Sequence, residues 1–334
     1  MKPKLLNILI VLVFAIAFSG CETDPVAIQI RKPYTYDNQY WANLRAYKKS
    51  DHQVFYGWYA AYGNKEGVQA AYKQSASWGE HIAGLPDSLD YCSLWMGIPT
   101  LENNPIAYNE MRSSREVRGI KMLAPKIIRM QKESWTKLDS AGIIQYGDTL
   151  LSGVFKNDLD GLDLDYEPEG DFLTGNNLTI LVKYLGQFLG PMSENPEKLL
   201  VIDYYTTVPP SGVGPYINYL VNQAYTQGTT STSATFLQSR YNSVSSWCPT
   251  KKFIVTENFG DWWATGGSPY TEANGNTLTT DGKQMYSMEG MARWNPTQGQ
   301  KGGFGAFYFD RDYNNNPPYI NVRRCIQIIN PAVH

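Results

Sequence analysis

The sequence predicts an α/β fold in which eight parallel strands close into a single (β/α)8 barrel, or TIM barrel. Short apolar runs typical of buried strands recur eight times, and helix-compatible stretches separate most of them. Their spacing of roughly 20–50 residues suits the repeating unit of this fold. The chain has 334 residues and no low-complexity linker, which favours one barrel domain over several smaller domains.

The strand candidates are apolar segments, and helical patterns follow several of them. The strands are expected to begin near Val54, Leu89, Gly119, Gly161, Leu199, Tyr216, Phe253 and Phe304. Helices are expected within Glu66–His81, Lys132–Phe155, Asn176–Leu189, Thr235–Ser246 and Lys283–Trp294.

The connection between the fifth and sixth strand candidates is the least regular part of this pattern. The segment Pro209–Pro215 is too short and too rich in proline for a full helix, so helices around these strands are expected to be irregular or missing. A doubly wound open sheet is the structural alternative. No Gly-x-Gly-x-x-Gly turn follows any strand candidate, so that alternative lacks support.

The first 20 residues are expected to be a signal segment rather than part of the fold. Lys2 and Lys4 precede the apolar run Leu5–Phe18, which is too short for a membrane-spanning helix. Ser19-Gly20-Cys21 resembles the bacterial lipobox, which implies acylation of Cys21 and a lipid-anchored, extracytoplasmic protein. An ordinary signal peptide cut nearby is the alternative. Residues 21–45 then form a tether with an N-terminal segment, and residues 46–334 form the barrel domain.

Composition narrows the classes of function. Without residues 1–20, which hold two lysines and no carboxylates, the formal charge moves from −2 to −4. This mild acidity argues against nucleic acid as a partner. Cys92, Cys248 and Cys325 allow at most one disulfide and show no Cys-x-x-Cys spacing. The three histidines are far apart in the sequence, which disfavours a histidine-rich zinc centre or a Ser-His-Asp triad.

The run Asp160-Gly-Leu-Asp-Leu-Asp-Tyr-Glu167 carries the clearest chemistry. Side chains alternate between the two faces of a strand, so Asp163, Asp165 and Glu167 project to the same side. Buried carboxylates a few ångströms apart protonate or pair, because isolated buried charges are costly. The pattern therefore predicts a cluster that shares protons, with Glu167 neutral and able to donate one.

Two other interpretations of this run are a calcium or magnesium site and an acidic strand at a sheet edge. Calcium-binding loops need a glycine turn inside the loop and further oxygen donors after it. Here the carboxylates stand within a strand pattern instead, at the strand end where barrel enzymes place their active sites.

The same eight residues match the DGxDxDxE signature of glycoside hydrolase family 18 at every fixed position, so the chain resembles that family of chitinases and endo-β-N-acetylglucosaminidases. The resemblance implies a substrate-assisted, retaining mechanism. Glu167 is then the acid and later the base, and the 2-acetamido group of the sugar is the nucleophile. Asp165 would orient that group, and Asp163 would hold Asp165. Neither a metal nor a cofactor is implied.

Three segments bear on the branch within the family. The third strand, Lys121–Lys126, lacks the Ser-x-Gly-Gly run usual in chitinases, and the eighth, Phe304–Asp310, lacks their tryptophan. The sixth resembles bacterial endoglycosidases that cut the chitobiose core of N-glycans, which implies that Gln223 and Tyr225 lie beside the acetamide. Chain length and lipobox resemble Bacteroides-type surface lipoproteins of the outer membrane. We therefore expect a monomeric endo-β-N-acetylglucosaminidase that acts on N-glycans or glycoproteins.

Further candidate sugar contacts lie near the ends of the strands, and each of them could be core packing instead. A chitinase-like hydrolase and a non-catalytic surface glycan-binding protein are the alternative functions. The preserved Glu167 argues against the second. The candidate contacts are Asp160, Tyr56, Trp58, Trp95, Asp203, Tyr205, Glu257, Asn258, Tyr308 and Asp310, with Trp262–Trp263 as a rim platform.

Overall fold

The structure of the protein is a computed structural model that describes residues 36–60, 81–130, 137–167, 172, 175–225 and 232–331. The chain divides into two compact units, residues 1–38 and residues 39–334, and the second contains the barrel. The predicted signal segment and Cys21 lie outside the described residues, as does the helix predicted within Glu66–His81 apart from His81 itself.

Eight parallel strands form a closed barrel in which each strand pairs with its sequence neighbours and the first pairs with the last. The predicted (β/α)8 fold is confirmed, and every strand candidate contains a strand. The strands are β1 (Val54–Tyr59), β2 (Tyr91–Leu94), β3 (Lys121–Ile127), β4 (Gly161–Tyr166), β5 (Leu199–Tyr204), β6 (Tyr219–Gln223), β7 (Phe253–Asn258) and β8 (Gly303–Phe307).

Seven of the described helices flank the barrel or precede it. Four of them lie, to within one residue at their ends, inside predicted helical stretches, whereas the helices Asn38–Lys48, Pro105–Ser113 and Ile320–Ile329 were not predicted. Between β5 and β6 the described chain forms only the short 3₁₀ turn Ser211–Val213, as its prolines predicted. The helices are α1 (Asn38–Lys48), α2 (Pro105–Ser113), α3 (Ser140–Lys156), α4 (Asn177–Leu185), α5 (Ala234–Asn242), α6 (Ser287–Arg293) and α7 (Ile320–Ile329).

Helix α1 crosses the expected boundary between tether and barrel domain at residues 45 and 46. The Arg45 guanidinium donates to the carbonyl of Val117 at 2.6 Å, and Lys48 Nζ donates to that of Leu89 at 2.5 Å. These bonds tie the C-terminal half of α1 to loops beside the barrel. The compact unit that contains the barrel begins at Gln39.

The barrel has two apolar layers, because parallel strands in this fold are buried on both faces. A large cluster lies between the outer face of the strands and the helices. A smaller cluster fills the interior, and Trp58, Leu123, Val201 and Ile254 belong to it. Three buried carboxylates, Asp163, Asp165 and Asp203, lie on β4 and β5 within this interior.

In the part of the chain that the structure describes, no helix is both long and apolar enough to cross a membrane. Cys92, Cys248 and Cys325 are buried free thiols, so the single disulfide that the sequence allowed is not formed.

Candidate active site

Three buried aspartates meet near the carboxyl end of the barrel. Asp163 and Asp165 lie on β4, and Asp203 lies on β5 directly opposite Asp165 in the strand register. Each is at most 2% exposed. Gln223, the last residue of β6, joins two of them, because its Nε2 donates to Asp165 Oδ1 at 3.3 Å and also to Asp203 Oδ2. One amide therefore binds carboxylates on two neighbouring strands.

Asp163 is held from the other side of the barrel. Its Oδ2 accepts hydrogen bonds from Trp58 Nε1 at 2.9 Å and from the Ser93 hydroxyl at 2.6 Å. The Tyr56 hydroxyl faces the same carboxylate. Tyr56 and Trp58 are at most 1% exposed, so they support the acid cluster from beneath instead of forming the sugar contacts expected of them. Sequence reasoning did not single out Ser93.

Burial is the main influence on the charge of this cluster. It raises the pKa of Asp165 to about 7, with the charges of Glu167 and then Asp163 adding to the effect. Burial, followed by the charges of Asp165 and Asp163, raises the pKa of Asp203 well above its usual value. Burial also raises the pKa of Asp163, although its hydrogen-bond donors oppose the change. The cluster therefore retains protons near neutral pH.

Glu167 follows β4 and lies at the rim, with 38% of its side chain exposed. Its Oε2 forms an ion pair with Nη2 of Arg129. Ile127 pairs with Asp165 in the strand register, so Arg129, two residues further on, reaches the level of Glu167. The structure thus places the predicted acid Glu167 against a guanidinium, and its neutral form stays a prediction. Every second residue after the inward-facing Leu123 faces the barrel interior. This alternation could have identified Arg129 as a residue of the site.

Half-buried aromatic rings surround the opening above the cluster. Phe307, the last residue of β8, stacks on Tyr308 with 3.8 Å between ring centroids. Trp95 meets the Phe307 ring edge-on at 5.4 Å, and Tyr225 lies 6.2 Å from it. Tyr205 lies 6.2 Å from Tyr225 on the far side. Flat rings in this arrangement can stack on the apolar faces of sugars. Phe307 lies on the eighth strand, which lacks the tryptophan usual in chitinases. Sequence reasoning did not single out Phe307.

Among these aromatic residues, Tyr225 feels the charges of the acid cluster. Burial, followed by the charges of Asp203 and Asp165, raises the pKa of Tyr225 well above its usual value. The phenol therefore stays protonated and can act as a hydrogen-bond donor. Tyr225 and Gln223, which the resemblance implies lie beside the acetamide, are both near Asp165.

Asp160 does not reach this rim. It precedes β4 at the opposite end of the barrel, where its carboxylate accepts from Arg115 Nε at 2.6 Å, from Arg115 Nη2 at 2.9 Å and from the Met122 backbone N–H at 2.9 Å. Asp160 joins the start of β4 to the elements beside it, so we withdraw it as a sugar contact and assign it a structural role.

Glu257 and Asn258 on β7, both predicted to contact sugar, form hydrogen bonds with the elements that follow the strand. Glu257 is fully buried and accepts from the Ser287 hydroxyl at the start of α6, on the outer face of the strand. Its side chain therefore lies outside the barrel interior and is withdrawn as a sugar contact. Asn258 caps the short helix Phe259–Trp262 by accepting from the Gly260 N–H at 2.8 Å. Its side chain holds that loop in place.

The remaining candidates lie beyond β7 and β8. Asp310 is buried and accepts from the Ala60 backbone N–H at 3.1 Å, which anchors the end of β1. Trp262 and Trp263 are half-buried, and Trp263 packs against the main core. Within the described ranges, no group of three or more His, Cys, Asp and Glu side chains has an arrangement that could hold a metal ion.

Comparisons with known proteins agree with the geometry. The chain matches the family model described as "Glycoside hydrolase family 18, BT1044-like" over residues 20–328. It is 26% identical over 311 residues to endo-beta-N-acetylglucosaminidase F2 of Elizabethkingia meningoseptica, covering 87% of this chain and 85% of that protein.

Two solved structures share the fold. A selenomethionine form of a BT1044 variant superposes with a TM-score of 0.70 at 23% identity, covering 88% of this chain and 93% of the other. An endo-beta-N-acetylglucosaminidase from Cordyceps militaris gives 0.67 at 24% identity, covering 89% and 98%. Because the family model spans nearly the whole chain and its signature carboxylates meet at the barrel rim, this protein belongs to glycoside hydrolase family 18.

Proposed function

We propose that this glycoside hydrolase is an endo-β-N-acetylglucosaminidase that cleaves the β-1,4 bond between the two core GlcNAc residues of N-linked glycans. The observation that carries the proposal is the position of Gln223 and Tyr225 beside Asp165, with Glu167 above them at the rim. Together these groups offer the hydrogen-bond donors and acceptors that an acetamide needs. The similarity to endo-beta-N-acetylglucosaminidase F2 supports the same class of activity.

In the first step, Glu167 gives a proton to the glycosidic oxygen as the bond to the anomeric carbon breaks. The carbonyl oxygen of the substrate's own 2-acetamido group attacks that carbon and forms a cyclic oxazolinium ion. A nucleophile held within the substrate needs no second protein carboxylate at bonding distance. The exposed position of Glu167 at the rim suits transfer to a leaving group that extends out of the barrel.

Asp165 is the group best placed to act on the acetamide. Its ionised carboxylate would accept the acetamide N–H and stabilise the positive charge that develops on the ring. A pKa of about 7 makes that ionised form accessible near neutral pH. Asp163, which Trp58 and Ser93 hold by hydrogen bonds, would help to keep the Asp165 carboxylate in place.

In the second step, Glu167 takes a proton from water, which attacks the same anomeric carbon and opens the oxazolinium ring. Two inversions at one carbon give net retention. The products are a free glycan that ends in a single GlcNAc and a protein that keeps one GlcNAc on its asparagine.

A digest of N-glycoproteins tests this function. High-mannose, hybrid and complex glycoproteins are incubated with the protein, and the released glycans are identified by mass. The proposal predicts glycans that lack one core GlcNAc from at least one class. Cleavage of chito-oligosaccharides alone would favour the chitinase-like alternative. Binding to glycans without release of any product would favour the glycan-binding alternative.

Replacing Tyr225 with phenylalanine should lower kcat while leaving KM nearly unchanged. The hydroxyl would donate to the acetamide oxygen and direct it toward the anomeric carbon, a contact that matters most in the transition state. Loss of one hydrogen bond to a developing charge predicts a decrease of roughly 10- to 100-fold. Steady-state kinetics on a released-glycan assay measure it. Tyr205→Phe, which changes the neighbouring ring, is the matched control, and an equal loss in both variants would contradict this role.

We also infer that Cys21 carries a lipid that anchors the protein to the outer membrane, at the cell surface. The lipobox resemblance of Ser19-Gly20-Cys21 is the support for this inference. Metabolic labelling with a fatty acid should mark the wild-type chain and leave Cys21→Ala unlabelled. Equal labelling of both chains, or of neither, would contradict the anchor.

A further inference from the structure

We propose that Asp203 is the proton-holding member of the acid cluster, a protonated carboxylic acid that positions Asp165 and lets it remain ionised. The proposal rests on the proposed function, because it concerns the step in which Asp165 acts on the acetamide. It assigns the shared proton to β5, outside the signature run on β4.

The position of Asp203 is the first support. It pairs with Asp165 in the strand register, so the two carboxyls lie side by side on the inner face of the barrel. The Asp203 side chain is fully buried. Its carboxyl lies within hydrogen-bonding reach of both Asp163 and Asp165. Three ionised carboxylates at this separation, away from water, would repel one another strongly.

The hydrogen bonds of the cluster show that a proton is needed between Asp203 and Asp163. Gln223 Nε2 donates to Asp203 Oδ2, and Trp58 and Ser93 donate to Asp163 Oδ2. The two remaining oxygens, Asp203 Oδ1 and Asp163 Oδ1, are buried and have no hydrogen-bond partner among the described residues. One proton on Asp203 Oδ1 supplies the missing donor; shared between Asp163 Oδ1 and Asp165, it satisfies both orphan oxygens and also hydrogen-bonds Asp165.

The groups that face Asp203 agree with this assignment. They are Asp163 and Asp165 from β4, Tyr56 from β1 and Tyr225 after β6. The two aspartates raise the pKa of Asp203 by charge, in addition to its burial. The Asp203 side chain in turn lowers the pKa of Asp165 by a hydrogen bond, against the larger effect of burial. A neutral Asp203 thus favours an ionised Asp165.

Asparagine and alanine at position 203 separate this role from simple packing. Asn has the shape of a protonated aspartic acid, because its oxygen can accept from Gln223 while its NH₂ donates toward Asp163 and Asp165. Asp203→Ala removes the donor. We therefore expect Asp203→Asn to keep activity within about tenfold of wild type, and Asp203→Ala to lose at least about tenfold more, the effect of a lost hydrogen bond to a charged group.

The pH profile of kcat/KM shows whether the pKa of Asp165 rises or falls when Asp203 is replaced. Without a donor, Asp165 should take up its proton at higher pH, so the acid limb of Asp203→Ala should move to higher pH. The limb of Asp203→Asn should stay near that of wild type. If Asp203 were ionised, Asp203→Asn would remove a negative charge beside Asp165 and move the limb to lower pH. That result, or equal inactivity of folded Asn and Ala variants, would overturn the proposal.

A spectroscopic test needs no substrate and so separates this proposal from the proposed function. Infrared difference spectra of the wild-type protein minus Asp203→Asn at neutral pH should show the C=O stretch of a protonated carboxylic acid. Asp165→Asn should leave that band in place. If the band is lost only when Asp163 or Asp165 is replaced, or never appears, Asp203 does not hold the proton. If the band behaves as expected but no glycan is cleaved, the proposed function fails alone.

Discussion

Glu167→Gln should abolish hydrolysis while leaving the barrel folded. Glutamine has nearly the same shape as glutamate, but it can neither give a proton to the glycosidic oxygen nor take one from water. General acid–base catalysis by a positioned side chain contributes about 10²–10⁴-fold to the rate, and Glu167 would serve in both steps. We therefore expect kcat to fall by at least about 10³-fold. A released-glycan assay with single-turnover sensitivity measures the decrease.

The cost to stability should be small. Glutamine breaks the ion pair with Arg129, but the carboxylate is 38% exposed, and exposed pairs contribute roughly 0–1 kcal/mol. Glu116→Gln is a matched control, because Glu116 is 63% exposed and forms a 2.8 Å ion pair with Arg112 far from the rim. That variant should keep full activity. Substantial activity in folded Glu167→Gln would remove Glu167 from the acid role.

Much of the fold could be predicted because the strands of this barrel are distinct in the sequence. Each apolar run is short and lies between polar loops, and alternation along β4 separates its carboxylates from its apolar residues. Helix α2 was missed although its start carries a recognisable signal. Asn104 accepts from the Ala107 N–H at 3.1 Å, and Pro105 occupies the first helical position.

The site residues that were missed or misjudged share a physical reason. Asp160 and Glu167 belong to one motif, but they are seven steps apart along an extended strand, roughly 23 Å, so they lie at opposite ends of the barrel. Glu257 was misjudged because β7 is apolar on both faces, and its sequence does not reveal which side chains point inward.

Partners from other strands are a second limit of sequence reasoning. Ser93 and Asp203 lie on two other strands, and Arg129 follows a third. Each meets a carboxylate of the signature run only because the barrel aligns the strands in a particular register. Alternation within a single strand predicts which face a residue occupies. It does not predict the height at which two strands align, which depends on packing over the whole barrel.

The requirement for the substrate's acetamide is the second large effect that we expect. If that group is the nucleophile, a substrate with a hydroxyl at the same carbon offers nothing that can close a ring on the anomeric carbon. Well-placed intramolecular groups reach effective molarities of about 10⁵–10⁸ M, so their loss should lower the rate by at least about 10³-fold. The aromatic rings around Phe307 (Trp95, Tyr225 and Tyr308) should still bind the sugar rings of such a substrate.

The measurement that tests the account most directly compares two synthetic core glycans that differ only at this position of the sugar bearing the scissile bond. One carries the 2-acetamido group and the other a 2-hydroxyl. Release is followed by mass, and binding is checked separately by calorimetry with Glu167→Gln. We expect rapid cleavage of the first glycan and none detectable of the second, although both bind. Cleavage of both at similar rates would show that water or a protein carboxylate is the nucleophile, and would contradict the mechanism built on Asp165 and Glu167.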